Sequence, residues 1–512
     1  MSPYVCDLEP DACYLALKAR DARFDGSFFT GVTSTGIYCR PVCRVRTPKR
    51  ENCRFFGHAA QAESAGFRPC LRCRPELAPH SVIWSVQDAS YILAHQAARL
   101  LEDPEAWGGN IPSVEQLAAR LGVSDRHVRR IFEAQFGVSP VQNLQTRRLL
   151  TAKQLLADTT LPVTQVALAS GYASVRRFNA AFVAHYGLNP TQLRREGAER
   201  HGQGVAVRLG YRPPYDAAAM LAFFGQRQLR GVELVRPAAD GGSLARTLAV
   251  ECGGSMHRGW LAVEFDTQHH QLVLRVADSL APVLPLVIRR VRCAFDLDAD
   301  PKGINKVLHA HFPGGDGFRV PGTLSGYEVA VRAVLGQQIT VAAARTLAQR
   351  LVDRFGEPVA TPWPELTRLF PEPAVLAGAS GDALGQLGIV RQRQAAIVAI
   401  ARAVHEKRLE LHGSADLAAT LQALTALPGI GDWTAQYIAM RALRWPDAFP
   451  SGDVALHRAL RVQGELRPAR AALAASEAWR PWRSYAVIRA WHGLAAPSLS
   501  TGAPSTVLEE SA

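Results

Sequence analysis

LTALPGIGDWTAQYIAMRAL, residues 424–443, predicts two helices joined by a tight glycine hairpin. Helical patterns lie on both sides of the short segment from Leu427 to Gly431. The two glycines, Gly429 and Gly431, let backbone N–H groups approach a DNA phosphate at the start of a helix. These residues therefore predict a helix-hairpin-helix unit that binds the DNA backbone, and by themselves they indicate no chemistry.

A carboxylate follows this hairpin in the sequence. Asp453 lies in FPSGDV, residues 449–454, and comes 22 residues after Gly431. The arrangement resembles the helix-hairpin-helix DNA glycosylase superfamily, in which an aspartate at this place is catalytic. An ionised Asp453 would stabilise the oxocarbenium-like sugar that forms as a base leaves, and would help to orient the attacking water. Asp432 and Trp433 stand where lyases carry a lysine, so the resemblance implies simple hydrolysis.

Similarity to the AlkA family covers about residues 205–494. It rests on PPYD (213–216) and on the segments VLGQQITVAAA, LPGIGDWTAQYIAMRA and PWRSYAVIRAW. The resemblance implies an α+β domain at 200–287 and an all-α glycosylase domain at 288–495. It also implies release of alkylated bases such as 3-methyladenine, each flipped out of the duplex into a pocket.

An aromatic cleft is expected because an electron-poor alkylated base stacks well on electron-rich rings. By position, the AlkA resemblance assigns this role to Phe223, Trp433, Tyr437 and Trp491, with ordinary core packing as the alternative for each ring. Two departures from the family pattern put the substrate range and the DNA wedge in question. His492 stands where a tyrosine is familiar, and Gln338 occupies the place of an apolar wedge. The family also implies a monovalent cation on carbonyls of the hairpin.

Four cysteines form two close pairs near the N-terminus. The first pair is Cys39 and Cys43, and after 26 residues comes the second pair, Cys70 and Cys73. Two such pairs can converge on one tetrahedral ion, and four thiolates suit one Zn²⁺, which stabilises small domains that have little core. An iron-sulfur cluster is the main alternative, and disulfides are a more distant one because we expect a reducing compartment.

Basic side chains surround the four cysteines, and this combination can hold a phosphate beside a reactive sulfur. The segments TGIYCRPVCR and GFRPCLRCRP resemble the N-terminal domain of the Ada family over residues 10–77. The resemblance implies that Cys39 accepts a methyl group from a DNA methylphosphotriester, with Arg46 among the DNA contacts. Loss of one negative charge would then strengthen DNA binding. A purely structural zinc knuckle is the alternative.

Two similar helical units lie in tandem between these regions. LAARLGVS (117–124) with RRIFEAQFGVSP (129–140) recurs as VALASGYAS (166–174) with FNAAFVAHYGLNP (178–190). Each unit has a small residue, a glycine turn and a helix with a basic exposed face, which is the plan of a helix-turn-helix. The pair resembles the AraC family DNA-binding domain.

The AraC-type resemblance implies two recognition helices, at about 125–135 and 174–185, on one DNA-binding monomer. Basic and polar residues on these helices are the candidates for contacts to bases or phosphates. They are Arg126, His127, Arg129, Arg130, Arg176, Arg177 and Asn179. Solvated helix faces look the same in sequence, so the individual contacts remain open. An activator of this kind would also contact RNA polymerase.

The whole chain fits a multidomain, mainly α protein of the bacterial cytoplasm and nucleoid. It has 512 residues, of which 48% are hydrophobic, and a formal net charge of +13. That length predicts several cores, and the positive charge fits a polyanion such as double-stranded DNA. No segment predicts a membrane span. We expect domains at 1–82, 83–199, 200–287 and 288–495, with a disordered tail at 496–512.

Three hypotheses follow from these patterns. The chain is a damage sensor and activator joined to a glycosylase, a regulator whose glycosylase-like half only binds DNA, or a glycosylase that its N-terminal domains concentrate on damaged DNA. In the second case Asp453 would be no more than a helix N-cap. No Pro-Cys-His-Arg motif occurs, so reversal of O6-methylguanine is not expected.

Overall fold

The computed structural model describes residues 9–79, 89–103, 105–107, 112–194, 204–238 and 241–495. The tail that the sequence predicts to be disordered, 496–512, lies outside these residues. In the part of the chain that is described, no helix is both long and apolar enough to cross a membrane. The predicted multidomain, mainly helical architecture is confirmed.

The N-terminal region is a small sheet with two helices. Its strands lie in the order β3-β1-β2-β4, and all neighbours are antiparallel except β2 and β4. Apart from the cluster formed by the cysteines, its described buried apolar residues fall into two small aromatic clusters, one around Phe28 and one around Tyr38. So little core favours stabilisation by a metal. The elements are α1 (Pro10–Ala19), β1 (Phe29–Val32), β2 (Ile37–Cys39), β3 (Cys53–Phe56), α2 (Ala59–Ser64) and β4 (Arg68–Pro69).

The second region consists of helices whose ends the sequence marks clearly. Serine side chains cap the first backbone N–H groups of α4, α5, α6 and α8, and α4, α5 and α8 end in a left-handed glycine. Each recognition helix begins close to its predicted residue. The elements are α3 (Ala89–Glu102), α4 (Val114–Leu121), α5 (Asp125–Phe136), α6 (Pro140–Asp158), α7 (Val163–Ala169), α8 (Val175–Tyr186) and α9 (Pro190–Arg194).

A five-stranded antiparallel sheet follows, in the order β5-β9-β8-β7-β6. Alternating residues of β9 are buried, so one face of this strand packs on the core, whereas five consecutive residues of β7 are buried. Helix α10 crosses from the first strand to the second and carries Phe223 toward the helices beyond the sheet. The elements are β5 (Val205–Gly210), α10 (Ala217–Gln226), β6 (Glu233–Arg236), β7 (Ser243–Cys252), β8 (Ser255–Asp266) and β9 (Gln271–Val276).

Apart from one bridge between Pro358 and Arg368, the described residues 284–495 contain only helices and loops. Helix α13 is buried along most of its length, and α19 begins directly at the predicted glycine hairpin. The helices are α11 (Leu284–Ala294), α12 (Pro301–Leu308), α13 (Gly326–Leu335), α14 (Val341–Phe355), α15 (Pro373–Ala377), α16 (Gly381–Gly385), α17 (Arg391–His405), α18 (Leu417–Thr425), α19 (Asp432–Arg441), α20 (Val454–Ala459), α21 (Pro468–Ala475) and α22 (Arg483–Ala495).

Buried polar contacts join these regions to one another. Arg212 is 1% exposed, and its Nε donates to the carbonyl of Asp25 at 2.7 Å, so the start of the glycosylase-like half is tied to the N-terminal sheet. The Arg74 guanidinium lies 2.5 Å from an Asp158 carboxylate oxygen, and Lys153 pairs with Glu76. Both of these pairs cross from the N-terminal region to α6.

Candidate metal centre and active site

The four predicted cysteines converge at the edge of the small sheet. Their sulfur atoms all lie within 4.8 Å of one another. Strand β2 ends at Cys39, and the backbone N–H of Cys70 bonds the carbonyl of Tyr38 at 3.0 Å, which brings the second pair beside the first. Zn–S bonds of about 2.3 Å place four tetrahedral sulfurs about 3.8 Å apart, so the donor set fits one Zn²⁺.

The positive field around the cysteines is weaker than the sequence suggests. Arg40 is held by Asp25, with its Nε 2.8 Å from a carboxylate oxygen, and Arg74 pairs with Glu76 and Asp158. Because these two guanidinium groups form ion pairs within the protein, they are not available to bind a DNA phosphate. The sequence could not reveal their partners. The exposed basic side chains near the cluster that can meet a phosphate are Arg44, Arg46, Arg68 and Arg72.

Backbone N–H groups, among them that of Arg40, contact the cysteine cluster directly. The N–H of Arg40 points at the Cys73 sulfur across 3.3 Å. A hydrogen bond of this kind stabilises a thiolate and lowers its nucleophilicity. Cys73 is thereby suited to remain a ligand.

The candidate DNA contacts on the recognition helices lie on solvent-facing sides. The guanidinium of Arg129 is 3.8 Å from Glu115, whereas Arg130 contacts His127 across 3.0 Å within its own helix. His127 and Arg129 are half-buried. The exposed candidates are Arg126, Arg130, Arg176, Arg177 and Asn179.

A cleft of about 1350 Å³ opens between α10 and the C-terminal helices. Every residue that the sequence placed in the glycosylase site lines it. This set comprises Phe223, Gln338, Gly429, Gly431, Trp433, Tyr437, Asp453 and Trp491. Residues more than 200 positions apart in the chain therefore meet around one cavity, large enough for a flipped nucleotide.

Asp453 stands at the N-terminus of α20 and is held by three donors. Its Oδ1 accepts the backbone N–H of Leu456 at 2.7 Å and the Trp491 indole N–H at 3.0 Å. Its Oδ2 accepts the Trp433 indole N–H at 3.0 Å. The carboxylate is thus an N-cap and also a cleft residue, so the capping role considered from sequence does not compete with a role in chemistry.

The aromatic rings of the cleft are arranged in two groups. The rings of Trp433 and Tyr437 stack with centroids 5.5 Å apart and an angle of 13°, and Trp491 lies 6.4 Å from Tyr437. Phe223 is covered on its face, because the Arg227 guanidinium carbon lies 3.7 Å from its ring centroid and that of Arg441 lies 4.7 Å away.

Arg227 and Arg441 were not among the residues predicted from sequence. Arg227, the C-cap residue of α10, comes four residues after Phe223, and Arg441 comes four residues after Tyr437 on α19. Residues with this spacing share a helix face, so the signal was present. Burial raises the pKa of Tyr437, but the positive charges of Arg441 and Arg227 outweigh burial and hold that pKa below its usual value.

Hydrogen bonds connect the glycine hairpin to the segment that carries Gln338, the wedge position. The side-chain amide of Gln337 donates to the Gly429 carbonyl at 2.9 Å and to the Thr434 hydroxyl at 3.0 Å. Gln338 follows with a φ of 56°, a left-handed conformation, and is exposed at the cleft mouth. A Cβ at Gly431 would meet nothing within 4 Å, so this hairpin edge is open to a DNA backbone.

Four family models match the chain in succession. The metal binding domain of Ada matches residues 12–76, and a helix-turn-helix domain matches 117–196. The AlkA N-terminal domain matches 206–325, and the HhH-GPD superfamily base excision DNA repair protein matches 331–484. With the four converging thiols, the first match identifies Zn²⁺ as the metal, and the second and fourth establish DNA as a partner.

Relatives resemble both the whole chain and its halves. A probable bifunctional transcriptional activator/DNA repair enzyme AlkA of Mycobacterium tuberculosis is 37% identical over 95% of this chain and 97% of the relative. DNA-3-methyladenine glycosylase 2 of Escherichia coli is 34% identical over 56% of this chain and 96% of its own length. The bifunctional transcriptional activator/DNA repair enzyme Ada of E. coli is 33% identical over 39% of this chain and 52% of its own length.

The resemblances found in the sequence are thereby confirmed along nearly the whole chain. The chain belongs to the family of bifunctional transcriptional activators and DNA repair enzymes that join an Ada-type zinc and helix-turn-helix half to an AlkA-type glycosylase half.

Proposed function

We propose that the C-terminal half hydrolyses the N-glycosidic bond of alkylated bases, 3-methyladenine among them, with Asp453 as the catalytic carboxylate. The observation that carries this proposal is the placement of Asp453 in the aromatic cleft, with its two oxygens oriented by Trp433 and Trp491. Stacking on the rings of Trp433 and Tyr437 would hold the flipped base.

Hydrolysis then needs little from the protein beyond position and charge. The bond from C1′ to the base breaks with its electron pair moving to the base, and a cationic alkylated base leaves as a neutral molecule. The ionised Asp453 stabilises the positive sugar and accepts a hydrogen bond from the water that attacks C1′. In this proposal the water's proton passes to Asp453, and an abasic site remains in an intact strand.

Release of free base from methylated duplex DNA tests this proposal. We expect the wild type to release methylated purines and leave alkali-labile, unbroken strands. Asp453→Asn keeps the helix cap but loses the charge, so release should fall by about a hundredfold or more. Asp416→Asn is the matched control, because Asp416 caps α18 in the same way outside the cleft. Full release by Asp453→Asn would refute the assignment.

For the N-terminal half, we propose that Cys39 accepts a methyl group from a DNA methylphosphotriester. Zn²⁺ held by Cys39, Cys43, Cys70 and Cys73 keeps the sulfurs as thiolates at neutral pH. The Cys39 sulfur forms a bond to the methyl carbon as the carbon–oxygen bond breaks, and the electron pair stays on the phosphate. The product is a neutral thioether, which removes one negative charge beside the DNA.

Intact-mass measurement after incubation with methylphosphotriester DNA tests the methyl transfer. We expect one added methyl group, located on the peptide that contains Cys39. Cys39→Ser should gain none, while Cys252→Ser, a half-exposed thiol in the large sheet, should behave as wild type. Methylation of another cysteine, or of none, would contradict the proposal.

We further propose that methylated Cys39 turns the two recognition helices into a promoter-bound activator that contacts RNA polymerase. The protein would act as a monomer in the bacterial cytoplasm, at the nucleoid. Carbonyls of the hairpin around Gly429 would hold a monovalent cation against a DNA phosphate. The second candidate is a regulator without excision activity, and the base-release experiment separates the two.

A further inference from the structure

Both recognition helices end against one short helix of the zinc region, α2. At the start of α2, the ring of His58 lies 5.0 Å from the ring of Phe136, the last residue of α5. Near the end of α2, a carboxylate oxygen of Glu63 lies 3.2 Å from Nε2 of His185, the next-to-last residue of α8. The two helices that carry the candidate base contacts are thus supported at their C-terminal ends by the same element.

The Glu63 carboxylate joins the end of α8 to two other elements. It accepts hydrogen bonds from the Tyr38 hydroxyl, at 2.8 Å, and from the Thr146 hydroxyl on α6. The side chain of Glu63 is 5% exposed, and Tyr38 is fully buried. Tyr38 directly precedes Cys39 in β2. One buried carboxylate therefore connects α8 and α6 to the strand that carries the candidate methyl acceptor.

A second contact holds the end of α8 to the zinc region. Gly187 closes α8 with a φ of 68°, and a Cβ at this position would lie 3.3 Å from the Arg68 guanidinium. The last carbonyl groups of a helix carry partial negative charge, so a cation at this end is favourable. Arg68 is exposed and comes two residues before Cys70. The end of the second recognition helix therefore lies beside a basic side chain of the cysteine region.

Helix α8 is also attached to α6. The Tyr186 hydroxyl, at the end of α8, donates to the Leu149 carbonyl of α6 at 3.1 Å. Helix α6 runs from the first helix-turn-helix unit to the second, so it joins the two units directly. Attachment of α8 to both α6 and α2 restricts its rotation more than either attachment alone. A surface that is fixed in advance loses less freedom when it binds, which favours affinity.

We infer that α2 is a platform that fixes the distance between the two recognition helices, with Glu63 as the positioning residue for α8. The zinc region thereby sets the spacing between the two DNA half-sites that the chain reads. This inference rests on the proposed promoter binding by α5 and α8. Half-site spacing follows the geometry of the protein, and one inserted base pair moves a half-site by about 3.4 Å and about a tenth of a turn.

Binding to duplexes of different spacing tests the inference. The reference duplex is selected from random sequence by the wild type after incubation with methylphosphotriester DNA, and two others carry one base pair more or one fewer between the half-sites. We expect the wild type to bind the reference about a hundredfold more tightly than the altered duplexes. In Glu63→Gln and in His185→Gln, this ratio should fall about tenfold, because α8 can then shift. Glu51→Gln, which removes a charge from an exposed pair with Lys49 in the same region, should keep the ratio.

The ratio separates positioning from folding, because a folding defect weakens binding to all three duplexes alike. Bound zinc, one ion per chain, shows that the zinc region of a variant is folded. His185→Gln leaves that region intact, so it decides the outcome if Glu63→Gln does not hold zinc. Unchanged ratios in the folded variants would overturn the inference, as would tighter binding of Glu63→Gln to every duplex, the result expected from loss of a negative charge alone. A wild type that selects no duplex would instead refute the proposed promoter binding.

Discussion

The indole N–H of Trp433 lies 3.0 Å from the Asp453 carboxylate oxygen Oδ2 and fixes the direction in which that oxygen faces the cleft. The indole of Trp491 holds the other oxygen at the same distance. Two rings that the sequence suggested as stacking partners for a base are therefore also the donors that orient the carboxylate. A ring in either position has to satisfy both requirements at once.

Removing one of these donors should reduce the rate of base release more than the affinity for DNA. Trp433→Phe keeps an aromatic face but loses the N–H, and a hydrogen bond to a charged group contributes about 1.5–3 kcal/mol. We expect the single-turnover rate of methylpurine release to fall about tenfold to a hundredfold, with little change in the Kd for DNA. Trp363→Phe, which packs on Trp260 outside the cleft, is the control. Weaker DNA binding at an unchanged rate would argue for stacking alone.

The buried pair between Glu76 and Lys153 should stabilise the junction of the zinc region with α6. Both side chains are no more than 2% exposed, so Glu76→Gln leaves a buried ammonium without its partner and should cost about 3–5 kcal/mol. Glu115→Gln, at an exposed pair with Arg129, should change the free energy of unfolding by less than about 1 kcal/mol. The comparison is made by urea unfolding near neutral pH.

The same pair gives a dependence of stability on pH. Burial raises the pKa of Glu76, but Lys153 and Arg74 outweigh it, so in the folded protein the pKa lies below its usual value. Its contribution is complete above the unfolded pKa of about 4.3 and is lost as pH falls through the lower folded value. The melting temperatures of wild type and Glu76→Gln should converge below that pH. A difference in melting temperature that stays constant as pH falls would contradict the assignment of the pH dependence to Glu76.

Removal of zinc should unfold the N-terminal region selectively. Its apolar clusters are small, and four thiols that converge without an ion have nothing to hold them together. A strong chelator should abolish methyl acceptance, while base release by the folded C-terminal half persists. Amide hydrogen exchange should show the loss of protection confined largely to residues before 80. Loss of protection along the whole chain would contradict this expectation.

Charge contacts from the second recognition helix should appear in the salt dependence of DNA binding. Arg176 and Arg177 are exposed at the start of α8. Removing one arginine charge that contacts a phosphate makes the slope of log K against log salt concentration less steep by about 1. Arg176→Gln and Arg177→Gln should each do so on promoter DNA, and Arg236→Gln, on the large sheet, should not. If both variants keep the wild-type slope, α8 does not contact the DNA phosphates through these two arginines.

Much of the architecture could be predicted because its signals are local. The two cysteine pairs, the glycine turns of the two tandem helical units and the glycine hairpin each act over a few residues. Resemblance to known families then placed Asp453 and four aromatic residues at one site, and the structure gathers all of them around one cleft. Their individual roles stay predictions.

What could not be predicted depends on partners distant in the chain. Arg74 is one of the basic residues next to the cysteines in the sequence, but its partner Asp158 lies 84 residues away and neutralises it. Arg227 and Arg441 flank Phe223 from two helices more than 200 residues apart. The spacing of residues along a helix shows which of them share a face, but it does not show which distant residues that face contacts.

The central claim is that two independent chemical sites occupy one chain, and a single reaction can test it. The full-length protein is incubated with methylated duplex DNA, and both free methylpurine and methyl on the Cys39 peptide are quantified by mass spectrometry. We predict that wild type yields both products, that Asp453→Asn loses only the free base, and that Cys39→Ser loses only the methylated peptide. A wild type that yields neither product, or a variant that loses both while still folded, would contradict the account.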